Sequence, residues 1–302
     1  MKERDIIKVS NKTITKYSSN IIKRGLNLAN TIKKESNSYD RPETPDSLRI
    51  KGNNFWNLEQ YQAVLECYDR AIELDSNHQK AWNNKGCVLL RLGNYEEALL
   101  CLDRAVALEP NDYTAWKNKA KLLGGKLKDH DEAIASYNRV LSINPTDEEA
   151  WFLKGSELKD MGKYEEAIDS YDRALEIKPD KWETWLVRGN LLLDLDFYDE
   201  ALNSYNKMLD FSPNNEIKNV AWKMRACTLD RLGLHEEAID SYNQALKIKS
   251  EAAIFLQKGN SLYNLHRHEE ALISWDKALQ LEPSNATAWY NKGQVMVKLY
   301  QY

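Results

Sequence analysis

Nothing in this 302-residue chain is apolar for long enough to cross a membrane. Its longest strongly apolar stretches, such as Leu191–Leu193, fall far short of the roughly 20 residues a spanning helix needs. The N-terminus, MKERDIIKVSNK, lacks the apolar core of a secretory signal. Cysteine is scarce: Cys67, Cys87, Cys101 and Cys227 form no C-x-x-C pair. They imply no disulfide framework, and the chain reads as one made for a reducing compartment, the cytoplasm. Positive charge is not in excess, with 42 Lys/Arg against 46 Asp/Glu and a net of −4. That balance argues against a nucleic-acid partner, which needs clustered positive charge. Catalytic signatures are missing as well. No Gly-rich phosphate loop, nucleophile elbow or kinase signature occurs. His78, His130, His235, His266 and His268 are not ligand-spaced with any Cys or acidic cluster. The chain is expected to be no enzyme and to hold no metal or cofactor.

What is present is repetition. Trp recurs at Trp82, Trp116, Trp151, Trp185, Trp222 and Trp289, a period of about 34 residues. Gly follows four residues later at Gly86, Gly155, Gly189 and Gly293, and Ala sixteen later at Ala98, Ala167, Ala201 and Ala238. Pro follows twenty-eight later at Pro110, Pro179 and Pro213. A fixed period of this length means stacked units, each unable to bury its faces alone. Within Gln79–Asp112, Trp82, Lys85/Gly86 and Leu89 share one face of a first helix. Gly93-Asn94 breaks that helix. A second is expected from about Tyr95 to Leu108, with Ala98, Leu102, Ala105 and Val106 inward and Pro110 as its stop. Gly86 and Ala98 leave room for the two axes to approach, with Trp82 and Leu102 filling the space beside them.

This pattern resembles the tetratricopeptide repeat. The family signature W-x2-L-G-x2-Y…A-x3-F…P reads here as W-x2-K-G-x2-L…A-x3-L…P. The resemblance covers residues 45–302 and implies an all-α right-handed superhelix, an α-solenoid. Seven full repeats fit, at 45–78, 79–112, 113–147, 148–181, 182–215, 219–251 and 252–285, and 286–302 supplies a terminal half repeat. The first repeat is degenerate, with Leu48, Val64 and Ser76 in the signature slots. The third carries one extra residue within LLGGKLKDHD, and Gly124-Gly125 is expected to loosen or shorten its first helix. Three extra residues around Glu216–Lys218 are expected to lengthen the link into the sixth repeat.

Residues 1–44 stand outside the pattern as a basic arm, with ten Lys/Arg against five Asp/Glu. Ile21, Ile22, Leu26, Leu28 and Ile32 give it an amphipathic helical face. That helix is expected to cap the first repeat or to dock on a partner or another copy. The C-terminal Tyr302 falls in mid-repeat, so the last helix is either a natural cap or, as its apolar KLYQY favours, a point of truncation or an end that a partner covers.

Tetratricopeptide repeats hold partner segments on the first helices, so the resemblance places a groove on those faces. Its N-terminal half is polar, with Arg49, Asn53, Asn83, Asn84, Arg91, Lys117, Asn118 and Lys121. Asn amides can serve a peptide backbone and cations a carboxylate. Its middle is apolar, with Phe152, Leu153, Leu186, Val187 and Met224 beside Asn190. The far end returns to polarity at Gln257, Asn260 and Asn291. Some family members clamp chaperone C-termini with Lys/Arg and Asn on three adjacent repeats. Arg49, Asn53 and Asn84 resemble two parts of that clamp, but Thr114 and Asn118 stand where the third needs bases. The chain is therefore expected to be a protein-binding scaffold or adaptor. The alternatives are a recognition or regulatory subunit of a multi-component enzyme, such as a prokaryotic stress or defence system, and a self-assembling scaffold that is homo-oligomeric through its ends or arm.

Overall fold

A computed structural model describes residues 43–300 of the chain. The arm residues Ile21, Ile22, Leu26, Leu28 and Ile32 lie outside the described residues. Among those described there are fifteen α-helices and no strand. In order they are α1 (Pro45–Trp56), α2 (Tyr61–Leu74), α3 (Gln79–Leu92), α4 (Tyr95–Leu108) and α5 (Tyr113–Leu122). A π-helical turn, Leu123–Leu127, follows α5. Then come α6 (His130–Ile143), α7 (Glu148–Asp160), α8 (Tyr164–Ile177), α9 (Trp182–Asp194) and α10 (Tyr198–Asp210). The series ends with α11 (Asn215–Arg231), α12 (His235–Ile248), α13 (Ala252–Asn264), α14 (His268–Leu281) and α15 (Ala286–Tyr300). The chain divides into two units, residues 1–81 and 82–302.

The first unit holds the hairpin α1–α2. Thr44 and Ser47 form a reciprocal capping box at the start of α1, and Pro45 takes the first turn, where its missing N–H costs nothing. Tyr68 of α2 lies against Gly52 of α1, and its hydroxyl donates to Asn53 Oδ1 at 2.6 Å. Leu48, Ala71 and Ala81 form the small core.

The second unit is an α-solenoid in which consecutive helices pack antiparallel as hairpins. The repeated residues explain why. Gly86, Gly155, Gly189 and Gly259 sit where the second helix crosses the first. A Cβ on Gly155 would lie 2.8 Å from the Tyr171 ring and 3.1 Å from the Ala167 carbonyl oxygen. The axes can approach only because that atom is missing. The Trp and Pro positions are joined by a bond across four of the linkers. The indole of Trp116 donates to the Pro110 carbonyl at 2.9 Å, Trp151 to Pro145 at 3.0 Å, Trp185 to Pro179 at 2.8 Å and Trp289 to Pro283 at 2.9 Å. Pro stops one helix and its carbonyl anchors the start of the next.

Two irregularities break the period. The extra residue of the third repeat is absorbed as the π turn, so the first helix is widened for one turn rather than shortened. Gly124 lies in that turn against the carboxylate of Glu157, which a Cβ would overlap. The three extra residues around Glu216–Lys218 do not lengthen a link. They add a helical turn to the front of α11, which Asn214 caps by accepting from Ile217 N at 3.0 Å, while Ile217 packs beside Tyr205 and Met208. An apolar residue at the right phase made helix more favourable than loop there.

Candidate protein-binding face

The expected groove residues fall on first helices: Arg49 and Asn53 in the first unit, on α1, and the others in the second. There, α3 carries Asn83, Asn84 and Arg91, α5 carries Lys117, Asn118 and Lys121, α7 carries Phe152 and Leu153, α9 carries Leu186, Val187 and Asn190, and α11 carries Met224. Arg49 pairs with Asp46 at 3.1 Å. Arg91 and Asn190 are exposed, and Asn83 is buried.

Successive first helices touch through these slots. The Asn118 amide donates to Asn83 Oδ1 at 2.9 Å and to Cys87 Sγ at 3.2 Å. Burial pushes the Cys87 thiol up to about 11, so it is no ready nucleophile. Lys117 is held more tightly. Asp147 caps α7 through Oδ1, which accepts from Ala150 N at 3.1 Å. Its other oxygen takes the Lys117 ammonium at 2.8 Å and the Tyr113 hydroxyl. Glu149 bridges Lys117 at 2.7 Å and Lys121 at 2.6 Å. Burial works against the Lys117 ammonium, but hydrogen bonds with Asp147, Glu149 and Tyr113 outweigh it and hold its pKa above the ordinary lysine value. Asp147 and Glu149 are lowered despite their own burial, first through Lys117. Two of the four cations that the sequence offers to a partner's carboxylate, Lys117 and Lys121, thus already have carboxylates of their own.

The middle of the face is apolar and partly covered by neighbours. Phe152 and Val187 pack around the core of Leu158, Tyr171 and Leu191, and Leu186 and Met224 around that of Leu192, Tyr205 and Met208. Leu153 joins the core of Tyr137 and Ala150. Asn190 accepts from the Tyr205 hydroxyl at 2.8 Å. Beyond this strip, Lys223 pairs with Glu251 at 3.1 Å.

At the C-terminal end, Asn260, Tyr263, Asn264, Trp275, Asn291 and Gln294 line a cavity of about 190 Å³. Asn291 donates to Asn260 Oδ1 at 2.9 Å. Sequence reading names Asn260 and Asn291 but not Asn264 or Gln294. All four recur at first-helix slots, and that periodic placement was the available signal.

The titratable clusters have local work to do. Asp230 accepts from His235 Nδ1 at 2.9 Å, from the Tyr242 hydroxyl at 2.9 Å and from Ser261 Oγ at 2.8 Å. The serine hydroxyl is spent on the carboxylate, so the imidazole is not placed as its base. His130 Nδ1 meets Glu157 at 2.6 Å across α6 and α7. Among the described residues no group of His, Cys, Asp and Glu could hold a metal, and no helix is long and apolar enough to cross a membrane.

Tetratricopeptide-repeat profiles match residues 50–78, 67–99, 84–148, 148–181 and 221–251, and a further repeat profile of the same family matches 259–299. The chain is a tetratricopeptide-repeat protein. It is 30% identical over 89 residues to Hsp70-Hsp90 organizing protein 1 of Arabidopsis thaliana, a stretch of 29% of this chain and 16% of that protein. The chain thus spans about a sixth of that relative's length. Among solved structures it resembles the C-terminal part of a tetratricopeptide protein from Cytophaga hutchinsonii, with TM-score 0.66, 17% identity and coverage of 82% of this chain and 97% of that one. It also resembles one from Parabacteroides merdae, with TM-score 0.54, 20% identity and coverage of 83% and 98%. Both likenesses speak to the fold. Tetratricopeptide proteins generally mediate protein–protein interactions and are typically non-catalytic scaffolds.

Proposed function

We propose that this protein is a non-catalytic scaffold whose second unit takes an apolar helix or extended segment of a partner protein on the face of α7, α9 and α11. One observation carries the reading. Phe152, Leu153, Leu186, Val187 and Met224 recur as half-buried apolar side chains on successive first helices, at slots that are polar on α3 (Asn83, Asn84) and α5 (Lys117, Asn118). Ion pairs stand at either side of the strip, Lys121–Glu149 before it and Lys223–Glu251 after it. A partner with an apolar stripe would remove the strip from water, at roughly 25 cal/mol per Å² of apolar surface, and the flanking pairs would discourage an unmatched charge. The plant relative is described as organizing Hsp70 and Hsp90. We do not extend those partners to this chain, because Lys117 and Lys121 are neutralised internally and a carboxylate clamp needs its cations free.

A photo-crosslinking amino acid at exposed Asn190 tests the proposal, with one at Asp169 on α8 as the control. Asn190 is expected to yield a partner adduct in lysate of the source cell and Asp169 none. Leu153→Asn with Val187→Asn is expected to abolish the adduct while helicity by circular dichroism is retained. An adduct that survives the double substitution in a folded protein would sink the proposal.

A further inference from the structure

The family signature has Leu three residues after the Trp, but this chain has a cation there. Lys85, Lys119, Lys154, Arg188, Arg225 and Lys292 follow Trp82, Trp116, Trp151, Trp185, Trp222 and Trp289, and Lys258 follows Phe255. The six cations that follow a Trp stack on its ring, from 5.1 Å for Lys154 to 6.0 Å for Lys85. Three of them reach back to an acid on the second helix of the preceding hairpin: Lys119 to Asp103 at 2.8 Å, Arg188 to Asp172 at 2.5 Å and Lys292 to Asp276 at 2.5 Å. Each of these acids lies sixteen residues upstream of its cation. Sixteen residues upstream of Lys154 stands Asn138, and Asn243 takes the matching slot for Lys258. Among the described residues, neither Lys154 nor Lys258 makes an ion pair.

Lys154 also borders open space. Trp151, Lys154, Leu158, Glu166, Asp169, Ser170 and Arg173 line a cavity of about 270 Å³. Burial disfavours the Lys154 ammonium and lowers its pKa, with the Glu166 carboxylate opposing, and Lys258 is lowered in the same way, with the Lys277 charge assisting. The wall also carries Arg173, whose guanidinium is paired with Glu176 at 2.8 Å, and the carboxylates of Glu166 and Asp169.

We propose that Lys154 is a site of Nζ acylation, taking a small acyl phosphate that enters the cavity beside it. The neutral amine attacks the acyl carbonyl, and an amide C–N bond forms as the C–O bond to phosphate breaks. Phosphate leaves with the electron pair, and the amine proton passes to solvent. Nothing is oxidised or reduced. The product keeps its alkyl stem on Trp151 and loses its charge, which would retune one junction without removing a core side chain. An ion-paired lysine such as Lys119 or Lys292 has its nitrogen engaged by a carboxylate, which an attacking amine would have to leave.

The full chain incubated with acetyl phosphate, and followed by quantitative peptide mass spectrometry, tests this. Lys154 is expected to acetylate several-fold faster than Lys119 and Lys292, with Lys258 next. Asn138→Asp, which supplies the missing acid, is expected to slow Lys154 to the rate of Lys119. Asp276→Asn, which removes one, is expected to raise Lys292 several-fold, and this second variant keeps the test valid if the first folds poorly. Equal rates at Lys154, Lys119 and Lys292 would overturn the proposal, as would an excess at Lys154 that neither substitution moves.

Discussion

At the scale of the residue, the slot four after each Trp separates a packed position from an open one. Gly155 faces the Tyr171 ring and a backbone carbonyl, neither of which can move far, whereas nothing lies within 4 Å of a Cβ built on Gly293. Gly155→Ala is therefore expected to destabilise the second unit by about 1–3 kcal/mol, the usual cost of overpacking. Gly293→Ala is expected to be neutral or to stabilise by up to about 1 kcal/mol, since Ala is the better helix former. Thermal unfolding by circular dichroism compares them, and equal shifts would contradict the packing argument. The sequence alone makes the two glycines look identical. Only the presence of Tyr171 against one of them tells them apart.

At the scale of the element, helix starts and stops follow from local chemistry. The boundaries Tyr95–Leu108 were legible because Gly93, at φ +86°, can end one helix and Pro110 follows the next. The two insertions were legible as insertions but not in outcome. Whether an extra residue becomes loop, π turn or added helix depends on what the neighbours bury, and Glu157 beside Gly124, and Tyr205 and Met208 beside Ile217, become neighbours only in three dimensions. The Lys117 junction carries a pH signature. Asp147 and Glu149 sit below their ordinary values of 3.8 and 4.5, so their contribution is present above those values and is lost as pH falls through the lowered ones. The advantage of wild type over Lys117→Met is expected to be about 1–3 kcal/mol near neutral pH, as for hydrogen bonds to charged groups. It is expected to shrink steadily below about pH 4, where the carboxylates protonate. Lys117, raised above its unfolded value, keeps its contribution through neutral pH and loses it only as pH rises past that raised pKa. Urea melts of both proteins between pH 7 and acid check this; a gap independent of pH would refute the assignment.

At the scale of the whole molecule, stability in the second unit is a chain of neighbouring interfaces, because each hairpin rests on the ones beside it. Gly259 meets the Trp275 indole, so Gly259→Val is expected to open α13–α15 while α5–α8 stay protected. Hydrogen exchange read by mass spectrometry resolves the two regions, and uniform loss of protection would instead mean one cooperative block. The sequence by itself determined the helical class, the period and the family, because each of these follows from spacing along one helix or one hairpin. Tertiary structure alone decided which slots carry free chemistry. Lys117 and Lys121 read as open cations until Asp147 and Glu149 arrive from the next helix, and Lys154 reads like Lys119 until Asn138 is found in the place of an acid. Charge is met through space, between side chains that the sequence holds about sixteen to thirty residues apart.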